Sequence, residues 1–312
     1  MTGIEEGPGG GGSCLLIVDT DTRRGDTAGP DFICAGMQKA GTQWLYDQLQ
    51  YHPEFWMPPV KELHFFDQAE PRQGFINQRN SFVSDPIAEG QRRVRQNLRP
   101  LDLRDSQFFA AFDQITPQWR SLDAYARLFE PKGNLLSGDV TPGYSTLEME
   151  FVAELARTYP LTRAVIVIRE PAARVLSQLR MDVAAQRQPA SSLTDPDELE
   201  AYLEIPRVKM RTFPSEIVPR WQSAFGERFA LFYFDDLAED PIAFRSRILT
   251  HVGAQDAHAS TLPPDYNRKA RSSPLAVSEA VRLAAERLLA DERRRCADLF
   301  GGRALEWPGR LT

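Results

Sequence analysis

The sequence predicts an α/β fold of three layers, a central parallel sheet with helices on both faces. Three observations predict it. Short apolar runs recur at 31–35 ("DFICA"), 163–170 ("RAVIVIRE") and 228–237 ("RFALFYFDDL"). Segments with helical capping and spacing separate them, and strands that alternate with helices pair in parallel under helical cover. The first run ends in a glycine-bearing loop that opens a helix, the P-loop-like order of strand, loop and helix that suits an anion. A chain of 312 residues can bury the core of one such domain.

Taken in order, residues 1–30 read as a flexible tail and lead-in. Glycines dominate "MTGIEEGPGGGGSC", and "CLLIV" after it is either a short strand or an apolar patch. A single domain is expected over 31–312. The strand from Asp31 to Ala35 is followed by a helix from about Thr42 to Tyr51, carrying Trp44, Leu45 and Leu49. His52-Pro53 stops it. "MPPVKELHFFD" is a proline-punctuated loop. The stretch at about 68–121 is polar, arginine-rich and without a strong period. It reads as an insertion forming a lid or part of a cleft, with a peripheral helical layer as the alternative.

"SLDAYARLFEP" reads as a helix with a serine cap, "NLLSGDVTPGYS" as a short strand and polar turn, and 147–158 as a helix. The run 163–170 is a buried strand, after which Pro171 opens a helix. A strand at 228–237, a helix at 240–253 and a long amphipathic helix or helix pair over 274–301 complete the chain. No internal repeat is present.

Composition is that of an ordinary globular protein, 42% hydrophobic and 26% charged. A net charge of −6 argues against a broad nucleic-acid footprint, though not against a local basic pocket. The three cysteines, Cys14, Cys34 and Cys296, show no metal-ligand spacing. Their sparse, odd number points to a reducing compartment, and Cys34 reads as a small buried hydrophobe. With no run of about 18 apolar residues and no signal-peptide pattern at the start, a cytoplasmic protein without membrane or nucleic-acid partners is expected.

Two features carry chemistry. In "GMQKAGTQW" (36–44), glycines allow close backbone approach, helix-terminal amides favour an anion, Lys39 adds a charge and Thr42 a hydroxyl. The order Lys39-Ala40-Gly41-Thr42 does not meet G-x-x-x-x-G-K-[ST], so the lysine and hydroxyl pair that would serve magnesium is missing. A plain glycine turn with an exposed lysine competes with this reading. In "VIVIREPAARVLSQLR" (165–180), Arg169 stands at the carboxyl end of a strand, where α/β sheets bind ligands, and Ser177 follows two helical turns on. An arginine there is otherwise structural, and Arg174 is read as a brace through an internal ion pair.

The two features together, with "KELHFF" (61–66) between them, resemble the sulfotransferases that use 3′-phosphoadenosine 5′-phosphosulfate (PAPS). The nearest likeness is to the branch containing bacterial sulfotransferases and the heparan sulfate N- and 3-O-sulfotransferase domains, over roughly residues 31 to 307. The resemblance implies that Lys39, Ala40, Gly41, Thr42 and Gln43 cradle the 5′-phosphate, and that Arg169 and Ser177 hold the 3′-phosphate. Trp44 matches a position near the adenine in some relatives, or is a core residue of its helix. Lys269-Ala270-Arg271 resembles a late loop that closes over the nucleotide, with Ala270 where relatives have glycine. Asp139, Thr141 and Tyr144 of "SGDVTPGYS", with Lys61, would orient the acceptor. An Asp and Thr capping turn explains the first two nearly as well.

The resemblance implies in-line sulfuryl transfer by positioning and charge, with Lys39 catalytic, no metal, and adenosine 3′,5′-bisphosphate as product. The acceptor's proton needs a base. Glu62 matches the glutamate of the heparan sulfate branch, and His64 is the competitor from chemistry alone. A small-molecule acceptor, a secondary metabolite or a sugar, offering a hydroxyl or amine, is expected. The competing classes are a P-loop nucleotide kinase and a non-catalytic nucleotide-binding protein. Oligomeric state is not legible.

Overall fold

In a computed structural model, residues 29–95, 98–116, 119–255, 262–266 and 275–309 are described. Four strands form one parallel sheet in the order β2-β1-β3-β4: β1 Phe32–Gly36, β2 Gly138–Val140, β3 Arg163–Ile168 and β4 Phe229–Tyr233. β1 and β3 are central and nearly wholly buried, as continuous apolar runs of this kind require. The chain passes from β1 to β2 on one side and from β3 to β4 on the other. The carboxyl ends of β1 and β3 therefore flank the switch point where α/β sheets open a crevice.

Helix α1 (Thr42–Gln50) follows β1. The stretch at about 68–121 is helical, with α2 Gln73–Ser84, α3 Pro86–Arg95 and α4 Leu103–Ile115. It looked aperiodic because aromatic stacking rather than a regular stripe ties it down. The Phe75 and Phe112 rings stack at 4.2 Å, and Trp119 lies 4.3 Å from Phe65. Asp102 and Asp105 form a reciprocal cap on α4. α5 (Leu122–Arg127) carries the expected serine cap, Ser121 accepting from the Ala124 amide.

α6 (Met149–Thr158) precedes β3, and α7 (Pro171–Ala184) follows it. Three helices that the sequence did not announce come next, α8 Pro196–Glu204, α9 Pro206–Lys209 and α10 Pro214–Phe225. The strand expected to Leu237 ends at Tyr233, and Phe234–Glu239 turns into α11. α12 (Pro241–His251) is capped by Asp240, which accepts from the Ile242 and Ala243 amides. The expected C-terminal helix is a pair, α13 Glu279–Leu288 and α14 Ala290–Phe300. The "CLLIV" run lies outside the described residues.

One apolar core lies around the sheet and reaches the aromatic cluster of α2 and α4. A second, among α7, α8 and α13, gathers Val175, Leu179, Leu199, Tyr202 and Val281. Among the described residues no helix is long and apolar enough to cross a membrane.

Candidate active site

The loop after β1 is built for close approach. Gly41 caps α1 with φ 86°, a left-handed turn in which a Cβ would lie 2.7 Å from Leu237 Cδ2. No side chain caps α1 and no acid stands in its first turn, so its leading amides are not taken by a side chain. Such a helix end favours an anion. Thr42 is buried at that end. Gln43 instead reaches along the helix, its Nε2 donating to Asp47 Oδ1 at 3.0 Å. Lys39 turns its ammonium toward α7, with Nζ 3.7 Å from Met181 Sδ.

The loop after β3 closes the other side. Arg169 donates through a terminal nitrogen to the Lys39 carbonyl at 3.1 Å, and its guanidinium lies 4.6 Å over the Phe234 ring. The two loops are also joined where the Met37 amide donates to the Val167 carbonyl at 2.7 Å. Ser177 is half-buried two turns along α7. Glu170 caps α7, accepting from the Ala172 and Ala173 amides at 3.0 and 2.6 Å, and pairs with Arg293 at 3.0 Å. Burial pushes its carboxyl above the usual range, against those bonds and Arg293. Arg174 is a brace, but not through an ion pair. It is fully buried and donates to Gln178 Oε1 at 2.7 Å and Thr212 Oγ1 at 3.0 Å. Burial without a carboxylate pulls it down to about 10.

The turn 61–67 packs against the α2–α4 layer, where Phe65 meets Trp119 at 4.3 Å. Lys61 Nζ meets Glu62 Oε1 at 2.5 Å, and Arg72 approaches Glu62 Oε2 at 3.6 Å. His64 Nε2 lies 3.4 Å from the same oxygen, and His64 Nδ1 lies 2.7 Å from Asp67 Oδ2. A Glu62–His64–Asp67 chain results. Burial would push Glu62 up, but bonds from His64 and Lys61 and their charges hold it far below the usual carboxylate range. Burial would lower His64, and the bonds to Asp67 and Glu62 outweigh it, so the imidazole is raised above its ordinary value.

Lys39, Glu62 and His64 share an unusual backbone. Their φ angles are 72°, 62° and 52°, and they are three of the five described non-glycine residues with positive φ. Each costs about 1–2 kcal/mol for an L-residue, and such strain collects at functional sites.

Asp139, Thr141 and Tyr144 lie elsewhere than the sequence suggested. All three are buried beneath the turn rather than facing a cleft. Asp139 accepts from Tyr125 at 3.0 Å and Thr141 at 2.6 Å, and the Tyr144 hydroxyl accepts from the Phe65 amide at 3.0 Å. Burial raises Asp139, which those hydroxyls only partly oppose. The trio holds the 61–67 turn from below and has no surface to offer an acceptor. Trp44 is nearly buried, its Nε1 donating to the Pro264 carbonyl at 2.7 Å and its ring 5.7 Å from Phe244. Lys269, Ala270 and Arg271 lie outside the described residues. Sequence reasoning passed over Asp67 and Arg72. Asp67 was legible as the acid three residues beyond His64 in the same turn, whereas Arg72 needed the fold. Among the described residues no group of His, Cys, Asp and Glu is placed to hold a metal ion.

A family model described as "Sulfotransferase family" matches residues 30–258. No curated protein matches significantly. Among solved structures, a sulfotransferase from Alicyclobacillus acidocaldarius superposes with a TM-score of 0.58 at 20% identity, covering 90% of this chain and 99% of that one. This likeness is one of fold. The sulfotransferase domain of the Synechococcus PCC 7002 olefin synthase gives 0.44 at 17% identity, covering 85% of this chain and 97% of that one. A Mycobacterium avium sulfotransferase gives 0.47 at 13% identity, covering 88% and 77%.

Proposed function

The chain belongs to the sulfotransferase family, and from that footing we propose that it transfers a sulfuryl group from PAPS to a hydroxyl or amine of a small-molecule acceptor. The observation that carries the reading is the bond from Arg169 to the Lys39 carbonyl, at 3.1 Å. It joins two cationic loops at the carboxyl ends of the two central strands. A ligand with one anion on each side of a ribose fits such a pair, whereas a nucleoside triphosphate places its charge on one side only.

In this reading the uncapped amides of α1, Gly41, Thr42 and Lys39 receive the 5′-phosphate, and Arg169 with Ser177 the 3′-phosphate. Bound PAPS supplies the sulfuryl group and leaves as adenosine 3′,5′-bisphosphate. The acceptor oxygen or nitrogen forms a bond to sulfur as the bond from sulfur to the bridging oxygen breaks. Lys39 neutralises charge that grows on that oxygen. The acceptor's proton passes to Glu62. Two features favour Glu62 over His64 as base. Glu62 is ionised and one-third exposed, within reach of an acceptor, whereas His64 is 8% exposed. Both His64 nitrogens already face carboxylates, which hold the ring toward its cationic form. His64 and Lys61 then position Glu62. The dispersed cysteines support a cytoplasmic setting.

Calorimetric titration with adenosine 3′,5′-bisphosphate, 5′-AMP and magnesium-ATP tests the nucleotide. Tight binding of the bisphosphate that weakens sharply for 5′-AMP is expected. Equal or better binding of magnesium-ATP would overturn PAPS as the donor. For the base, Glu62→Gln should lower turnover by about 10²–10⁴-fold and leave bisphosphate affinity within a few-fold.

A further inference from the structure

Arg169 is flanked on two sides by contacts to one part of the chain, the C-terminal α14 and the 3-10 turn Gly302–Gly309 after it. On one side, Arg293 of α14 pairs with Glu170 Oε1 at 3.0 Å, the two side chains being 5% and 3% exposed. Glu170 directly follows Arg169, and its two carboxylate oxygens accept the Ala172 and Ala173 amides of α7. On the other side, Phe234, whose ring lies against the Arg169 guanidinium, opens α11. Arg303 of the 3-10 turn donates to Asp236 Oδ1 of that helix at 2.8 Å and pairs with Glu239.

The Arg293 contact does more than complete a cap. Capping two amides needs only a short acceptor, and aspartate serves as well as any residue. The longer glutamate spans from the α7 amides to the guanidinium on α14. That helix is itself fixed, since Glu292, the neighbour of Arg293, is buried and accepts from the Ser215 amide at 2.8 Å and its hydroxyl at 2.6 Å. Arg293 is therefore a cation in a set place, and it ties down the residue next to Arg169. α14 also lies beyond residues 30–258, so this tie comes from outside the matched family region.

We propose that Arg293 is a positioning residue for the donor site: through Glu170 it fixes the direction of Arg169, and with it the preference for a nucleotide that bears a 3′-phosphate. The inference rests on the sulfotransferase reading for the nucleotide, but the placement of Arg169 is measured without one.

Protein labelled with ¹⁵N-arginine reports on Arg169, whose signal is shifted by the Phe234 ring and identified by its loss in Arg169→Lys. Glu170→Asp keeps a cap on α7 and withdraws the carboxylate from Arg293 by one methylene. In this variant, with no nucleotide present, the Arg169 signal should lose its ring shift. By calorimetry, adenosine 3′,5′-bisphosphate should bind about tenfold more weakly and 5′-AMP within about twofold of the parent. Arg293→Gln should do the same, the two substitutions together should add nothing further, and Arg293→Lys should recover part of the loss. Arg228→Gln, which loosens the end of α6 instead, should leave the ratio of the two affinities unchanged. An Arg169 signal that stays fixed in Glu170→Asp, or equal weakening of both nucleotides, overturns the assignment. Failure of the parent to bind the bisphosphate would count instead against the sulfotransferase reading, and the Arg169 signal would still decide the role of Arg293.

Discussion

Replacing Asp67 with asparagine removes one charge beneath His64 and almost no volume. The two side chains meet at 2.7 Å, with 8% of His64 and 5% of Asp67 exposed. A hydrogen bond to a charged group contributes about 1.5–3 kcal/mol, and one pH unit of titration corresponds to about 1.4 kcal/mol. The imidazole of the variant should therefore titrate about 1–2 units lower than in the parent. In the parent it is raised above its ordinary value, since bonds to Asp67 and Glu62 outweigh burial and the opposing charge of Arg72. A folded imidazole that holds its proton more tightly than the unfolded one contributes stability below the unfolded value of about 6.5. That contribution is lost as pH rises through the folded value. Asp67→Asn should thus cost about 1.5–3 kcal/mol at pH 6 and distinctly less at pH 9. Urea denaturation at both pH values measures the cost, and proton NMR follows the ring, assigned by its absence in His64→Gln. Equal destabilisation at the two pH values, or an imidazole titrating where the parent does, would refute the account of this turn.

Three further outcomes follow from the same geometry. Arg169→Lys keeps a charge but loses the planar guanidinium that both bonds the Lys39 carbonyl and lies over the face of Phe234. It should weaken adenosine 3′,5′-bisphosphate by about 10–100-fold and 5′-AMP far less, by calorimetry. Asp139→Asn should cost about 1 kcal/mol because a neutral isostere still serves Thr141 and Tyr125. Asp139→Ala strands those two hydroxyls at about 1–3 kcal/mol each, a contrast that chemical denaturation resolves. Gly41→Ala meets Leu237 and a left-handed φ. It should lose about 1–2 kcal/mol of stability and bind the bisphosphate about tenfold more weakly as Phe234 and Arg169 shift.

Much of this was legible in the chain. β1 and β3 announced themselves because strands buried on both faces must be apolar throughout, and the motifs drew attention to the loop of Lys39 and the turn of Glu62. Other parts were not. The α2–α4 layer hid because Phe75, Phe108 and Phe112 stack on one another rather than repeat along one stripe. β4 was overextended because Phe234 continues the apolar run, yet its ring turns away to meet Arg169. Asp139 and Tyr144 were assigned to the acceptor by resemblance, which carries no information about burial. Here they serve a buried hydrogen-bond network that only the fold could place. α8–α10 are short helices that each open on a proline, so their sequence reads as a proline-punctuated loop.

If Lys39, Glu62 and His64 act as proposed above, their left-handed backbones set stability against chemistry at three points. Glycine at any of them would relax the local turn and delete a functional group in the same step. Selection for folding alone would push these positions toward glycine or asparagine, and only selection for turnover would hold them. A descendant that kept the fold and lost its reaction would therefore be expected to grow more stable at these sites as it decayed. A directed-evolution campaign screened only for thermal tolerance would erode the enzyme here first.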